Sequence, residues 1–228
     1  MKELILIEYF TALQNLALFE KKTIFSEAIK LVDEISLNFI KSNKLNKIHV
    51  IRNNKLQRLK KKKLVYSLTS PEISLNKILN SFKNNVKIIL IAPETGKVFI
   101  NLFENLKKKG FTLLNSDLMN IKNFSSKKKT FLELNKFLIP SLETKKISML
   151  KNNVTFISKP DYGAGSEDII VLKNHKKLRQ KEKSTVLQEY SSGKKGSFSM
   201  LTLNGMSIVI ACNKQLISFK GNKIKQIG

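Results

Sequence analysis

Ser158-Lys159-Pro160-Asp161-Tyr162-Gly163-Ala164-Gly165-Ser166-Glu167-Asp168 separates two apolar runs, Val154-Thr155-Phe156-Ile157 and Ile169-Ile170-Val171-Leu172. The layout predicts strand, glycine-bearing loop, strand, with a cation fixed at the end of the first strand. Gly163 and Gly165 let the backbone come close to a bound group, so that loop N–H groups can face anionic oxygens. Lys159 supplies a point charge, and phosphate is the natural ligand class. A hairpin can also carry two glycines for turn geometry only, and from the loop by itself both readings stand. It is not a Walker loop, because no Gly-Lys-Ser/Thr follows and no helix pattern starts there. A dinucleotide fingerprint would need a strand-to-helix turn.

Working outward, the sequence after Asn123 reads as α+β. Lys127 to Leu138 has helical character and Pro140 ends it. Strands then crowd together at 154–158, 168–172, 185–190, 197–203, 206–211 and 214–220, and Asn204-Gly205 marks a tight antiparallel hairpin. Before about Asn115 the pattern is β/α. Leu4 to Tyr9 reads as a buried strand, and Phe25, Ala28, Ile29, Val32, Ile35, Phe39 and Ile40 recur at helical spacing with Ser26 or Thr23 as cap. Ile48-His49-Val50-Ile51 is a second strand, followed by a basic stretch to Lys63. Pro71 precedes a helix carrying Ile73, Ile78, Leu79 and Phe82. Val86 to Ala92 is the clearest strand, ending in Pro93-Glu94-Thr95-Gly96. A helix through Val98, Leu102, Phe103 and Leu106 stops at Gly110, a C-cap glycine, and Phe111 to Leu114 is a further strand.

Alternation of this kind builds a mostly parallel sheet, whose ligands gather beyond the carboxyl ends of the strands. That places Glu8 and the Ala92-to-Gly96 turn on the functional edge. Glu94 either lines the substrate side of a cleft or caps the turn after Pro93.

The chain has 228 residues and a formal charge of +25, with 42 Lys and Arg against 17 Asp and Glu. Such charge suggests phosphate backbones as partners. Only Arg52, Arg58 and Arg179 are arginines, however, and the lysines are scattered through every segment, which argues against a dedicated nucleic-acid face. Lys60-Lys61-Lys62-Lys63 is the one dense run, either a solvated loop or an anion patch. No apolar run is long enough to span a bilayer, and Met1 to Tyr9 has acids in its apolar core and no cleavage site, so a cytoplasmic location is expected. Cys212 is the only cysteine, which excludes disulfides and cysteine-rich zinc sites. His49 and His175 sit apart, with no spacing for a metal or a triad.

The loop has neighbours that give it meaning. Thr185-Val186-Leu187-Gln188-Glu189-Tyr190-Ser191-Ser192-Gly193 ends a strand with a polar-aromatic cluster, and upstream lie Ser125-Ser126-Lys127-Lys128-Lys129-Thr130 and Ile139-Pro140-Ser141-Leu142-Glu143-Thr144. In this order and spacing the pieces resemble the ATP-grasp superfamily, whose members hold ATP between two α+β lobes and join a carboxylate to an amine through an acyl phosphate. The run Ile91-Ala92-Pro93-Glu94-Thr95, then Leu113-Leu114-Asn115-Ser116, and the opening Ile5-Leu6-Ile7-Glu8-Tyr9 look most like the archaeal-type tyramine–glutamate ligases. The resemblance extends over nearly the whole chain. It implies an α/β pre-ATP-grasp domain over 1–116 with a mostly parallel sheet. An incomplete α+β ATP-grasp domain with antiparallel sheets follows over 117–228, its first lobe at about 117–184 and its second beginning near 185.

By the same resemblance, Lys127 and Lys159 are the two lysines that contact nucleotide phosphates, although Ser126 stands where the family usually has an acid. Asp161, Gly163, Gly165 and Ser166 match the mobile loop over the phosphates, and Gln188, Glu189, Tyr190 and Ser191 match the hinge that reads the adenine edge. Fixed lysine charge and loop N–H groups suit a transferring phosphoryl group. Lys127 also fits a solvated helix start, and Glu189 a strand-end acid in a surface ion pair.

The resemblance further implies ATP and Mg²⁺ as cofactors, but the carboxylates and asparagine that hold the metal are expected beyond Gly228. Glu189 is the last acid in the chain, and the ribose-contacting carboxylate expected near Lys195-Gly196 has no counterpart. The reading is therefore an ATP-dependent carboxylate–amine ligase, with glutamate as one suggested substrate, present as a partial or split chain. A second chain completing the domain, or a homo-oligomer, follows as a partner. Two alternatives stand beside it: a non-catalytic nucleotide-binding or partner subunit, supported if a strand edge is exposed near Lys214 to Lys220, and a basic nucleic-acid-binding protein.

Overall fold

The computed structural model describes residues 3–16, 22–83, 85–145, 154–163, 168–173 and 185–226. The chain forms two compact units, Met1–Ile121 and Lys122–Gly228.

Unit 1 is built on a parallel sheet of β1 (Glu3–Glu8), β2 (Lys47–Asn53), β3 (Leu64–Thr69), β4 (Lys87–Ile91) and β5 (Thr112–Leu113), in the order β3-β2-β1-β4-β5. The centre strand β1 is apolar on both faces, as a strand covered on both sides must be. Ile5 and Ile7 pack with Ile51, Ile88, Leu90, Phe103 and Leu106 on one face. Leu6 packs with Val32, Ile48 and Val50 on the other. The covering helices are α1 (Lys22–Lys41), α2 (Leu75–Leu79) and α3 (Val98–Lys108). The chain leaves β1 in one direction through β2 and β3 and returns for β4 and β5 in the other. The switch point of the sheet therefore lies between β1 and β4.

Local details depart from expectation in informative ways. α1 opens at Lys22, so Ser26 and Thr23 lie inside it and do not cap it. α2 begins only after Ser74, whose side chain accepts from Lys77 N at 3.1 Å, so Ile73 precedes it and Phe82 follows it. β3 was not foreseen. It runs parallel to β2 although residues 54–63 between them contain no helix. Side chains hold that link in place: Arg52 Nη1 donates to Gln57 O at 2.6 Å, and Tyr66 Oη accepts from Leu59 N at 3.0 Å. The stop after α3 is as expected. Gly110 has φ +84°, and Phe111 N and Gly110 N donate to Leu106 O and Lys107 O, the two bonds of a Schellman cap.

Unit 2 contains α5 (Lys127–Lys136) and a five-stranded sheet in the order β11-β12-β7-β6-β8. Its strands are β6 (Phe156–Pro160), β7 (Ile170–Leu172), β8 (Thr185–Glu189), β11 (Ile217–Lys220) and β12 (Lys223–Gln226), all antiparallel to their neighbours. α4 (Leu118–Phe124) spans the residues where the two units divide. β8 hydrogen-bonds along β6 from Thr185 to Glu189. A separate two-stranded sheet holds β9 (Gly196–Leu203) and β10 (Met206–Lys214), joined through Asn204 and Gly205 at φ +51° and +78°. Both residues are left-handed, as a two-residue hairpin turn requires. The single strand expected at 214–220 is corrected: β10 runs on to Lys214, and β11 begins only at Ile217.

Candidate functional site

In unit 1 the edge beyond β1 and β2 is closed by the chain itself. Glu8 is buried, and its carboxylate accepts from Thr11 N at 2.8 Å and Phe10 N at 3.1 Å, folding residues 9–12 over the strand end. Asn53 extends the clasp, its amide donating to Leu13 O at 2.7 Å and Gln14 O at 3.0 Å. Burial pushes the Glu8 carboxyl above its usual range, although these N–H groups and the Arg52 charge pull the other way. Glu8 is thus engaged inside the unit. Glu94 differs: it is exposed, precedes the single turn Thr95–Lys97, and makes no side-chain capping bond there.

In unit 2, β6 delivers Lys159 one residue before its end, and α5 delivers Lys127 at its first position. The loop after β6 is fastened to the start of α5. Asp161 accepts from Ser126 Oγ at 2.9 Å and from Lys128 N at 2.9 Å, while its carbonyl accepts from Lys127 N at 3.1 Å. Ser126 Oγ in turn accepts from Lys129 N at 3.1 Å, and Ser126 O accepts from Thr130 N at 2.8 Å. The first four N–H groups of α5 are therefore all taken, and the helix N-terminus offers nothing to an anion. Asp161 is a clip between loop and helix. Ser126 is the other half of that clip.

Lys127 Nζ reaches the same loop, donating to Asp161 O at 3.2 Å and Gly163 O at 3.0 Å. Gly163 sits at φ +115°, a conformation closed to L side chains, which presents that carbonyl to the lysine. Gly165 and Ser166 lie outside the described residues. Lys159 is half-buried, and among the described residues no carboxylate pairs with it. Burial, and then the charge of Lys127, lowers its ammonium below the usual lysine range. Two cations thus lie close enough to repel, and Asp161, the acid that opens the loop, is already taken up by Ser126 and Lys128.

β8 carries the first of the residues expected at the adenine edge. Gln188 is buried and its side chain donates to Leu142 O at 2.7 Å, fixing residues 142–145 against β8. Tyr190 N donates to Thr155 O at 2.9 Å, and Lys195 lies 5.1 Å over the Tyr190 ring while donating to Ser191 O at 2.8 Å. Lys159 pairs with Val186 and Phe156 with Glu189, so strand alternation sets Lys159 and Gln188 on one face of the sheet and Glu189 on the other. Glu189 faces Lys145, which was not singled out from the sequence: their side chains meet at 2.8 Å, and Lys145 N bonds Leu187 O at 2.8 Å. That bond to Glu189 raises the Lys145 ammonium above its usual range. The signal was available only as one lysine among many.

The donor set suits a polyanion and does not suit a divalent cation. Hard cations need several oxygen ligands, usually carboxylates. Among the described residues there is no group of three or more His, Cys, Asp or Glu that could hold a metal. His49 bonds Glu3 at 3.0 Å and packs edge-on to Phe82, and His175 lies outside the described residues. Among the described residues no helix is long and apolar enough to cross a membrane.

Residues 124–228 match the family model of the ATP-grasp domain. Among solved structures, the fold resembles the crystal structure of a protein from Archaeoglobus fulgidus described as an ATP-grasp superfamily protein, with a TM-score of 0.65 and 19% identity. The match covers 96% of this chain and 62% of that one, so the chain spans less than two thirds of the length of the protein it resembles. At this identity the likeness establishes the fold: a parallel five-stranded sheet followed by antiparallel sheets, as the sequence led us to expect. A comparison with curated proteins finds no match.

Proposed function

We propose that unit 2 binds the phosphates of ATP through Lys159 and Lys127, in the service of ATP-dependent ligation of a carboxylate to an amine. A carboxylate oxygen would attack the γ-phosphorus, releasing ADP and giving an acyl phosphate. The amine nitrogen would then attack the acyl carbon, phosphate would leave, and the amine would lose a proton. The chain's part in that sequence is positional and electrostatic, with the two ammonium groups set against the charge of the phosphoryl oxygens. Glutamate as the carboxylate substrate, and the tyramine–glutamate ligases as the nearest branch, are the finer form of the proposal. They rest on the resemblance carried by Ile5 to Tyr9 and Ile91 to Thr95.

The observation that carries the reading is Lys159, half-buried beside a second lysine and without a described acid partner, its ammonium lowered by burial first and by Lys127 second. Such an arrangement is costly until an anion of multiple charge enters, which is what a triphosphate supplies. Calorimetric titration of ATP into the wild-type chain and into Lys159→Met tests it. Methionine keeps the apolar stem and removes only the charge, so the fold should hold while affinity falls at least about tenfold. Because the ammonium is lowered in the free protein and would be raised against phosphate, ATP binding should take up a proton. Affinity should fall as pH rises through the lowered value, earlier than an ordinary lysine would dictate. Equal affinity in wild type and variant, or no ATP binding by the wild type, would sink the proposal.

A second reading is favoured by the missing cluster of metal-ligating acids among the described residues: unit 2 holds nucleotide without turning it over. It separates from the first by ATP binding that persists with no ADP formed when carboxylates and amines are supplied. The nucleic-acid alternative has only the exposed Lys60, Lys61 and Lys62 behind it. It would show as salt-steep binding indifferent to Lys159→Met.

A further inference from the structure

From Gly196 to Asn213 the chain carries no charged residue. Folded as β9 and β10, this stretch presents apolar side chains on both faces. The strand register sets Leu201, Leu203 and Ile208 on one face and Phe198, Met200 and Val209 on the other. Leu203 is 70% exposed, Ile208 68% and Phe198 63%, which is the state of residues facing solvent although their chemistry is that of a core. Among the described residues β9 and β10 pair only with each other, so both outer edges of the ribbon are open. A lone two-stranded hairpin is marginal in water, and a long uncharged edge is the kind that takes on another strand. Exposed contiguous apolar surface of this sort marks an interaction site.

We infer that the β9–β10 ribbon is the docking surface for a separate, acidic polypeptide that adds β-strand to it. Charge selects this occupant over a second copy of the chain. Each copy carries +25, so self-association must work against strong repulsion while an acidic chain is drawn in. The ribbon itself carries no carboxylate, and its open end is bordered by Lys194, Lys195 and Lys214, which an acidic occupant would meet. The inference stands on the ribbon and does not depend on ATP binding.

Cys212 makes the test direct. It is the only cysteine, it is free and exposed, and it lies on β10, so an environment-sensitive dye attached there reports on the ribbon alone. The labelled full chain is titrated with short peptides alternating valine with glutamate, and with the same peptides carrying lysine in place of glutamate. The acidic peptide should shift the dye emission, bind at least about tenfold tighter than its lysine counterpart, and weaken as salt rises. The double variant Leu201→Lys, Ile208→Lys should lose the response. Both positions are mostly exposed, so the fold, checked by circular dichroism, should be kept. Light scattering of the chain without peptide should give a monomer at low salt, where the +25 charge is least screened. A dimer that the double variant dissolves would overturn the inference in favour of a second copy. No dye response, or an equal one in the variant, would also overturn it, the latter by showing acid held on lysines elsewhere. ATP titration of the same variant separates the two proposals, because loss of peptide binding should leave nucleotide affinity unchanged.

Discussion

The β1–β2–β4 heart of unit 1 and the β9–β10 ribbon of unit 2 are made of the same kinds of residue and end in opposite states. Ile5, Leu6, Ile7, Ile51 and Ile88 are fully buried, while Ile208, Ile210 and Leu201 stand more than half exposed. The difference is not strand propensity, which β-branched and aliphatic residues supply in both places. It is cover. β1 has strands on both sides and helices on both faces, whereas β9 and β10 have only each other among the described residues. Of the described hydrophobic residues in unit 2, only Phe156, Val186 and Leu187 are buried, close to Lys159 and its loop. Unit 1 thus closes on its own sequence, and unit 2 carries apolar surface it does not use.

The largest effect should come from trimming each region by the same amount. Ile5→Ala removes a fully buried side chain between two packed faces and should cost about 2–5 kcal/mol. Ile208→Ala, at 68% exposure, should change stability by no more than about 0.5 kcal/mol. Urea unfolding of the two variants checks both. A loss at Ile208 comparable to that at Ile5 would break the comparison, because the ribbon would then have to be covered.

Much of this contrast is legible in the sequence, and its failures have physical causes. The buried strands of unit 1 announce themselves as apolar runs, and Asn204-Gly205 announces the ribbon turn. β3 escaped because its core, Leu64-Val65-Tyr66-Ser67-Leu68-Thr69, is an edge strand with polar residues. The parallel step from β2 to β3 also passes through a link with no helix. Lys159 was readable as a cation at a strand end. The role of Asp161 was not, because its partner Ser126 is 35 residues away. Lys145 was invisible for the same reason, its bond to Glu189 spanning 44 residues in a chain crowded with lysines. Exposure of the ribbon could not be read at all, since an apolar run looks the same whether or not something covers it.

A second, smaller effect sharpens the comparison through charge. Arg52 is fully buried, bonds Asp33 at 2.7 Å and Gln57 O at 2.6 Å, and leaves its Nε without a partner. Arg52→Met should cost about 3 kcal/mol, the lower end for a broken buried pair, because Asp33 keeps some contact with solvent. The double variant Arg52→Met, Asp33→Asn should recover part of that loss. Lys145→Met, which breaks the more open pair with Glu189 in unit 2, should shift the unfolding midpoint much less. If the two single variants are equal, the closed character assigned to unit 1 does not extend to its charges.

The smallest effect is a dependence on pH, and it tests whether the strand-end cluster of unit 1 is as dry as its burial implies. Glu8 has its carboxyl raised by burial, so the ionised form works against the fold. For a group raised in this way the favourable contribution is fully present below the unfolded value. It is lost as pH climbs through the folded one. Glu8→Gln keeps an oxygen for Thr11 N or Phe10 N but cannot ionise. Measured over about pH 4 to 7, the variant should gain stability relative to wild type as pH rises. If it instead falls behind, the N–H groups of Phe10 and Thr11 and the charge of Arg52 outweigh burial. The cluster would then be a stabilising anion site, and the closed edge of unit 1 would owe its order to charge as much as to packing.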